Sequence, residues 1–350
     1  MRNLNLTATL AWLAMLALSV AACGGGGGGG GGGGSGDSRP ATFAGGSPVS
    51  RQAKKSDIAS SELATAMSNG GTHNVRLPAL GNTTVVSLNS DDELLIYDGT
   101  YTTFIPISYF DIHKNGTLTV VGKIKKTSAT VHAGYDFVAV LGGKHKGIQG
   151  GLEYSNFGYW LVANKIEAAG GNRLKVGRTN QEYGVYAFGI ESKKTGVASS
   201  GGTFNGTALA AAYSKGEIGL GIYDDTMVPL VGTAKLVMDS GGTTGKLTLD
   251  FKASNFFALS GPVNINSSGT LTGSFDTITG KDSTGIGVSS NINDYVSCGG
   301  SGVVCNNDIQ GAAFGPAGNA SEAVGSFILE KRPGFLSPQK GVAGSFGVKK

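Results

Sequence analysis

The sequence predicts an all-β protein carried on a glycine tether, and three observations lead there. Short alternating runs recur at roughly 10–15-residue spacing, bounded by Gly, Asn, Asp and Ser. Val85-Val86-Ser87-Leu88, Lys246 to Phe251 and Ala323 to Leu329 are examples, and no long helical periodicity interrupts them. Such runs read as antiparallel strands joined by hairpins. Second, the tripeptide Gly-Ser/Thr-Phe occurs at 202–204, 273–275, 325–327 and 344–346. Residues two apart on a strand share a face, so each copy sets a glycine and a phenylalanine on one side and a hydroxyl on the other. Small barrels fill their interiors by alternating small and large side chains, and an aromatic covers a neighbouring glycine. The repeat therefore predicts a closed barrel filled by its own side chains. Third, eleven consecutive glycines, Gly24 to Gly34, follow Cys23.

The elements follow in chain order. Residues 1–22 carry one charge, Arg2, and an apolar stretch from Leu10 to Val20, ending Val20-Ala21-Ala22-Cys23. The stretch is far shorter than the ~20 residues a spanning helix needs, and small residues precede the cysteine. The segment resembles a bacterial lipoprotein signal, which implies cleavage before Cys23 and its lipidation, palmitate included. Gly24 rather than an acidic residue follows the cysteine, similar to lipoproteins sent on to the outer membrane. Residues 23–60 are read as a flexible tether, because glycine loses the most backbone entropy on ordering. Its reach is roughly 30–37 Å. Ser61 to Asn69 is expected to form one short helix, with Ser60 or Ser61 as N-cap. Residues 61–178 are assigned to a β-rich domain and residues 179–350 to the barrel.

The residues also resemble a family. Ala313-Phe314-Gly315-Pro316, followed by Ala320-Ser321-Glu322-Ala323-Val324-Gly325-Ser326-Phe327, is similar to the F-x-GP…A-x-E-x-G-G-x-F signature of transferrin-binding protein B-like barrels. Gly341 to Lys350 resembles that family's closing strand, and Glu153 to Trp160 a segment upstream of the barrel. Val324 departs from the usual glycine, and the length suits one lobe where the transferrin receptors have two. One-lobed relatives include factor H-binding protein, the haemoglobin–haptoglobin receptor lipoprotein and hemophilin-type haem carriers. The resemblance implies an eight-stranded barrel behind an N-terminal handle or clamp domain. It also implies export by the surface lipoprotein assembly modulator to the outer face of the outer membrane.

Three cysteines are present. With Cys23 lipidated, Cys298 and Cys305 enclose a short glycine-rich segment, and nearby cysteines in an exported chain most often pair. A metal pair is the alternative, but neither spacing nor a nearby histidine supports it. The formal net charge of +4 is uneven. Between His113 and Arg178 lie ten Lys and Arg against Asp136, Glu153 and Glu167, while the rest of the mature chain carries 17 basic and 21 acidic residues. A basic upstream domain suits an acidic partner or anionic headgroups, and is equally what an ordinary solvated face provides. Nucleic acid is not expected, for want of a compact basic-aromatic module.

Catalysis finds little support. Ser240 to Leu247 looks like a phosphate loop but has Ser240 where the first glycine belongs and Leu247 where the magnesium-binding hydroxyl belongs. It reads as a hairpin turn. The four histidines, His73, His113, His132 and His145, lack metal-ligand spacing. Haem ligation needs no such spacing, so His113, His132 and Tyr135 stand as haem candidates. His132 and Tyr135 act together only in a loop, because residues three apart on a strand face opposite sides. No resident cofactor is expected, haem being a possible ligand.

The expected function is a non-enzymatic, lipid-anchored surface receptor for a host or environmental macromolecule, serving iron or haem acquisition beside a TonB-dependent receptor. Its host partner would be an iron- or haem-carrying protein. Capture of a complement regulator, direct haem carriage and a structural or adhesive role are the alternatives.

Overall fold

The computed structural model describes residues 201–215, 225–267, 269–298, 303–315, 320–332 and 339–350. Upstream it describes residues 152, 154 and 164 and eleven strands between residues 49 and 189. Cys23, residues 24–48 and 53–60 of the expected tether and the expected helix at Ser61 to Asn69 lie outside the described residues, while Val49–Gln52, inside the expected tether, form a strand paired with residues 111–113.

The upstream strands are β1 (Val49–Gln52), β2 (Val85–Leu88), β3 (Glu93–Tyr97), β4 (Thr102–His113), β5 (Leu118–Lys123), β6 (Lys126–Thr127), β7 (Asp136–Gly143), β8 (Ser155–Ala163), β9 (Ile166–Ala168), β10 (Leu174–Val176) and β11 (Glu182–Gly189). Downstream come β12 (Gly202–Lys215), β13 (Asp225–Met238), β14 (Thr244–Asp250), β15 (Ala258–Ile265), β16 (Thr270–Gly273), β17 (Thr277–Thr279), β18 (Val304–Phe314), β19 (Glu322–Arg332) and β20 (Gln339–Lys349). The protein is all-β. Among the described residues helix is confined to one 3-10 turn, Lys252–Ser254, and one four-residue helix, α1 (Asn293–Val296).

Eight downstream strands close into an antiparallel barrel, in the order β12-β20-β19-β18-β16-β15-β14-β13, with β13 returning to β12. Closure leaves the barrel no free sheet edge, which removes the usual template for aggregation. The interior is a side-chain core. Phe204, Phe251, Phe257, Phe275, Phe327 and Phe346 are all buried in it with Leu230, Leu247 and Ile309. Each contributes on the order of 1.5–3 kcal/mol by leaving water. Every copy of the Gly-Ser/Thr-Phe repeat sends its phenylalanine inward. At Gly325 an added Cβ would sit 2.7 Å from the ring of Phe346, so the ring occupies the space the glycine leaves. Phe275 and Phe327 meet edge to face at 5.7 Å.

The second sheet has nine strands, with the main order β11-β8-β7-β5-β4-β3-β2. It packs on the outer face of β12, β20, β19 and β18. Val140, Phe157, Tyr159, Leu161, Val185 and Ala187 share one buried cluster with Leu209, Ala211, Tyr213, Val324, Ile328 and Ala343 of the barrel exterior. β19, β20 and residues 208–213 of β12 are therefore buried on both faces, whereas β18 keeps half-exposed positions. The other half, from β13 to β16, alternates: Leu236, Leu247 and Val263 point inward, while Lys235, Lys246 and Pro262 point to solvent.

Sheet membership crosses the expected domain border at 178/179. β9 and β10, upstream of it, extend the barrel sheet by pairing β10 with β13. β11, downstream of it, pairs with β8 in the nine-stranded sheet.

Candidate binding surface

The two ends of the barrel differ. At one, the near rim, the β13–β14 and β15–β16 connections are short polar turns. At 239–244 the Asp239 carboxylate accepts the backbone N–H groups of Thr243 (3.0 Å) and Thr244 and the Thr244 hydroxyl. The Thr244 hydroxyl chiefly holds the Asp239 carboxyl below its ordinary range. Gly242 supplies the positive φ, 64°, that this turn requires. The phosphate-loop lookalike is thus the hairpin between β13 and β14. At 266–270, Asn266 Oδ1 accepts the Thr270 N–H at 3.0 Å and Gly269 adopts φ 79°.

The opposite end, the far rim, carries irregular chain. The 3-10 turn after β14 buries Phe251, Phe256 and Phe257, and the Ser254 hydroxyl donates to the Val231 carbonyl at 2.9 Å. The connection from β17 to β18 is longer, and its residues 280–298 form a plug. Ile286, Val288 and Tyr295 enter the barrel core. The Asp282 carboxylate organises the first half, accepting the N–H groups of Thr284 (2.8 Å), Gly287 (3.1 Å) and Val288 (3.1 Å). Asp294 organises the second half. It accepts the Ser289 hydroxyl and pairs with Lys331 of β19 at 2.9 Å. The Ser289 bond first, and Lys331 second, hold its carboxyl below the usual range. Burial pushes the Tyr295 phenol up, and its hydroxyl donates to the Ser289 carbonyl at 3.2 Å.

Cys298 and Cys305 are joined by a disulfide, with Cα atoms 6.0 Å apart. The bridge ties the end of the plug to the start of β18. Beside it stand two of the three exposed large hydrophobic residues among those described, Val296 at 59 % and Val304 at 47 % exposure. The third, Val237 at 42 %, lies on β13 near the opposite rim.

A second polar set lines the seam between the sheets. Glu322, 3 % exposed, accepts the Ser155 hydroxyl at 2.7 Å and the Tyr154 N–H at 3.1 Å. The Ser345 hydroxyl donates to the Gly158 carbonyl at 2.9 Å. Glu330 accepts the Tyr213 hydroxyl and, at 3.1 Å, the Asn306 side-chain amide. Burial raises the pKa of Tyr159 in the same seam. These groups are partnered and so avoid a desolvation penalty, whereas Trp160 Nε1 of β8 and the buried Ser326 hydroxyl of β19 have no hydrogen-bond partner.

Of the haem candidates, His113 is the last residue of β4, with Val49 of β1 as its register partner. His132 and Tyr135 lie outside the described residues, as do His73 and His145. Among the described residues no group of three or more His, Cys, Asp or Glu is placed to hold a metal ion. The plug and the seam were not foreseen from the sequence. One signal for the seam was present: Ala208 to Tyr213 is apolar at every position, which in a strand means burial on both faces.

No family model and no curated protein matches the chain. Among solved structures it is similar to one described as a surface lipoprotein, at 16 % identity and TM-score 0.32, covering 70 % of this chain and 98 % of that one. It is similar to intact Ap-TbpB with both lobes, at 13 % identity and TM-score 0.35, covering 78 % of this chain and 67 % of that one. A mutant of the vaccine antigen transferrin binding protein B from Haemophilus parasuis gives 12 % identity and TM-score 0.31, with the same two coverages. Likeness at this level assigns neither partner nor activity.

Proposed function

We propose that this chain is a lipid-anchored surface protein that binds a macromolecule at the far rim of its barrel. The observation that carries the reading is the contrast between the ends. One end has tight, self-satisfied turns. The other has a long plug braced by a disulfide and an ion pair, with two valines held out in water. Apolar side chains exposed together and rimmed by polar residues mark a candidate interaction site. Recognition belongs to loops held by a rigid scaffold. Because the barrel interior is filled with phenylalanine, leucine and isoleucine, the surface is favoured over the lumen as the ligand site.

The position of β1 supports the same orientation. It pairs with the His113 end of β4. Following the register Ile112↔Leu118, Leu118↔Leu141 and Leu141↔Gly158 leads to the carbonyl that accepts Ser345 at the middle of β20, and the His113 end of β4 runs on from there towards the near rim. A flexible tether from Cys23 ending at β1 would join away from the far rim and leave that rim free to meet a partner.

The physiological setting we favour is iron or haem acquisition, with a host iron- or haem-carrying protein as partner and a TonB-dependent receptor as the downstream acceptor. Capture of a complement regulator is the second reading, for the same surface serves it. Direct haem carriage through His113, His132 or Tyr135 is a third. Immobilised mature protein offered serum separates them. Retention of a haemoglobin, transferrin or haptoglobin complex supports acquisition, and retention of a complement regulator supports evasion. A Soret band from free haem, lost on changing a single histidine, supports carriage. If nothing macromolecular is retained, the receptor reading fails. Protease added to intact cells should remove the folded body while periplasmic markers survive, and full protection would refute surface display.

A further inference from the structure

We propose that the barrel and the nine-stranded sheet are one rigid body, latched by the β9–β10 hairpin, so that no hinge operates between them. Two packed units joined by a linker move against each other by default, unless their interface is large and apolar. Here the chain changes sheets three times between Ala163 and Gly202. β8 lies in the nine-stranded sheet, β9 and β10 in the barrel sheet, β11 back beside β8, and β12 in the barrel.

The seam is consequently fixed at both ends. At the near rim, Glu322 of the barrel holds Ser155 and the Tyr154 N–H. Two residues further in, Phe157 sits between Gly142 and Gly347; a Cβ added at either glycine would lie 2.3 Å from its ring. At the far rim, β10 pairs with β13 through Leu174↔Met227, Lys175↔Thr226 and Val176↔Asp225. Ile166 of the hairpin, 1 % exposed, is buried in the cluster that holds Met227. Opening about either end breaks the contacts at the other. Rotation about the seam drives Phe157 into backbone. The three-residue ladder is the shortest of these connections, which makes it the part that a substitution can release. The consequence for binding rests on the far-rim reading above: a partner meets the plug and the hairpin in fixed relative positions.

Hydrogen exchange on the whole mature protein tests the latch without any partner. Amides open singly, in cooperative groups, or only with the whole molecule. The slowest amides of β8, β10 and β20 should share one opening constant, within about threefold. If β8 and β10 exchange about 100-fold faster than β20, the units open independently and the proposal is wrong. Lys175→Pro removes a backbone N–H from the latch. It should speed exchange in β8 at least about tenfold while β14 and β15 keep their protection. Unchanged exchange in β8 contradicts the latch. Should that variant fail to fold, the wild-type comparison decides alone. Failure here leaves the far-rim binding reading standing, and failure to bind leaves the latch standing.

Discussion

Phe157 and Gly347 depend on each other. The phenylalanine fills the space left by two glycines, one on its own sheet and one on the barrel. Gly347→Val should therefore overpack the seam and cost about 1–3 kcal/mol, read from the urea midpoint. Glu322 makes a second residue-scale test. Glu322→Ala leaves the buried Ser155 hydroxyl and Tyr154 N–H without their acceptor, and the expected loss is about 1–3 kcal/mol, with Glu322→Gln losing less. Asp294 gives a dependence on pH. Its carboxyl is lowered in the folded state, so its contribution is full above the ordinary carboxylate range and is lost as pH falls through the lowered value. The melting temperatures of wild type and Asp294→Asn should differ at neutral pH and converge well below about pH 3.9. A difference that persists in strong acid would mean that the ionised carboxylate is not its source. At this scale the sequence was half legible. A period of two placed Phe327 and Phe346 inside the barrel. It could not pair Gly347 with Phe157, because the strands that meet there are remote in the chain; the neighbouring Ser345–Gly158 bond spans 187 positions.

Among the elements, the strands were readable wherever one face is wet. β14 alternates buried and less buried positions and matches its pattern of Lys246 to Asp250. β20 is buried at eight successive positions, so alternation carries no information there; only uniform apolarity does. The β9–β10 hairpin was unreadable as a barrel strand pair, since three-residue strands make no periodic signal. The plug was unreadable too, because it is held by carboxylate-to-backbone bonds and one ion pair rather than by a repeating pattern. Its disulfide can be weighed directly. Replacing Cys298 and Cys305 together with serine should lower stability by about 2–3 kcal/mol on the chain-entropy model. It should also speed exchange in α1 and at Tyr295 more than in β14. Equal acceleration everywhere would mean that the bridge does not act through the plug.

At the scale of the molecule, a filled barrel and a stacked sheet give a stiff body with one quiet end and one elaborated end. On the proposed reading, stiffness, the surface valines and an anchor at the opposite end would suit capture of a bulky partner. The fold class could be argued from composition and the phenylalanine repeat. The surface that would bind could not, because exposure of Val296 and Val304 follows from where the disulfide and the Asp294–Lys331 pair hold the chain. The most direct test compares the affinity of wild type, the Val296→Asp/Val304→Asp variant and the Val237→Asp control for the macromolecule retained from serum. Val237 is similarly exposed but lies near the other rim. Loss of at least about tenfold, or 1.4 kcal/mol, in the double variant alone is the predicted result. Equal affinity of all three proteins, each with a native circular dichroism spectrum, would contradict binding at the far rim.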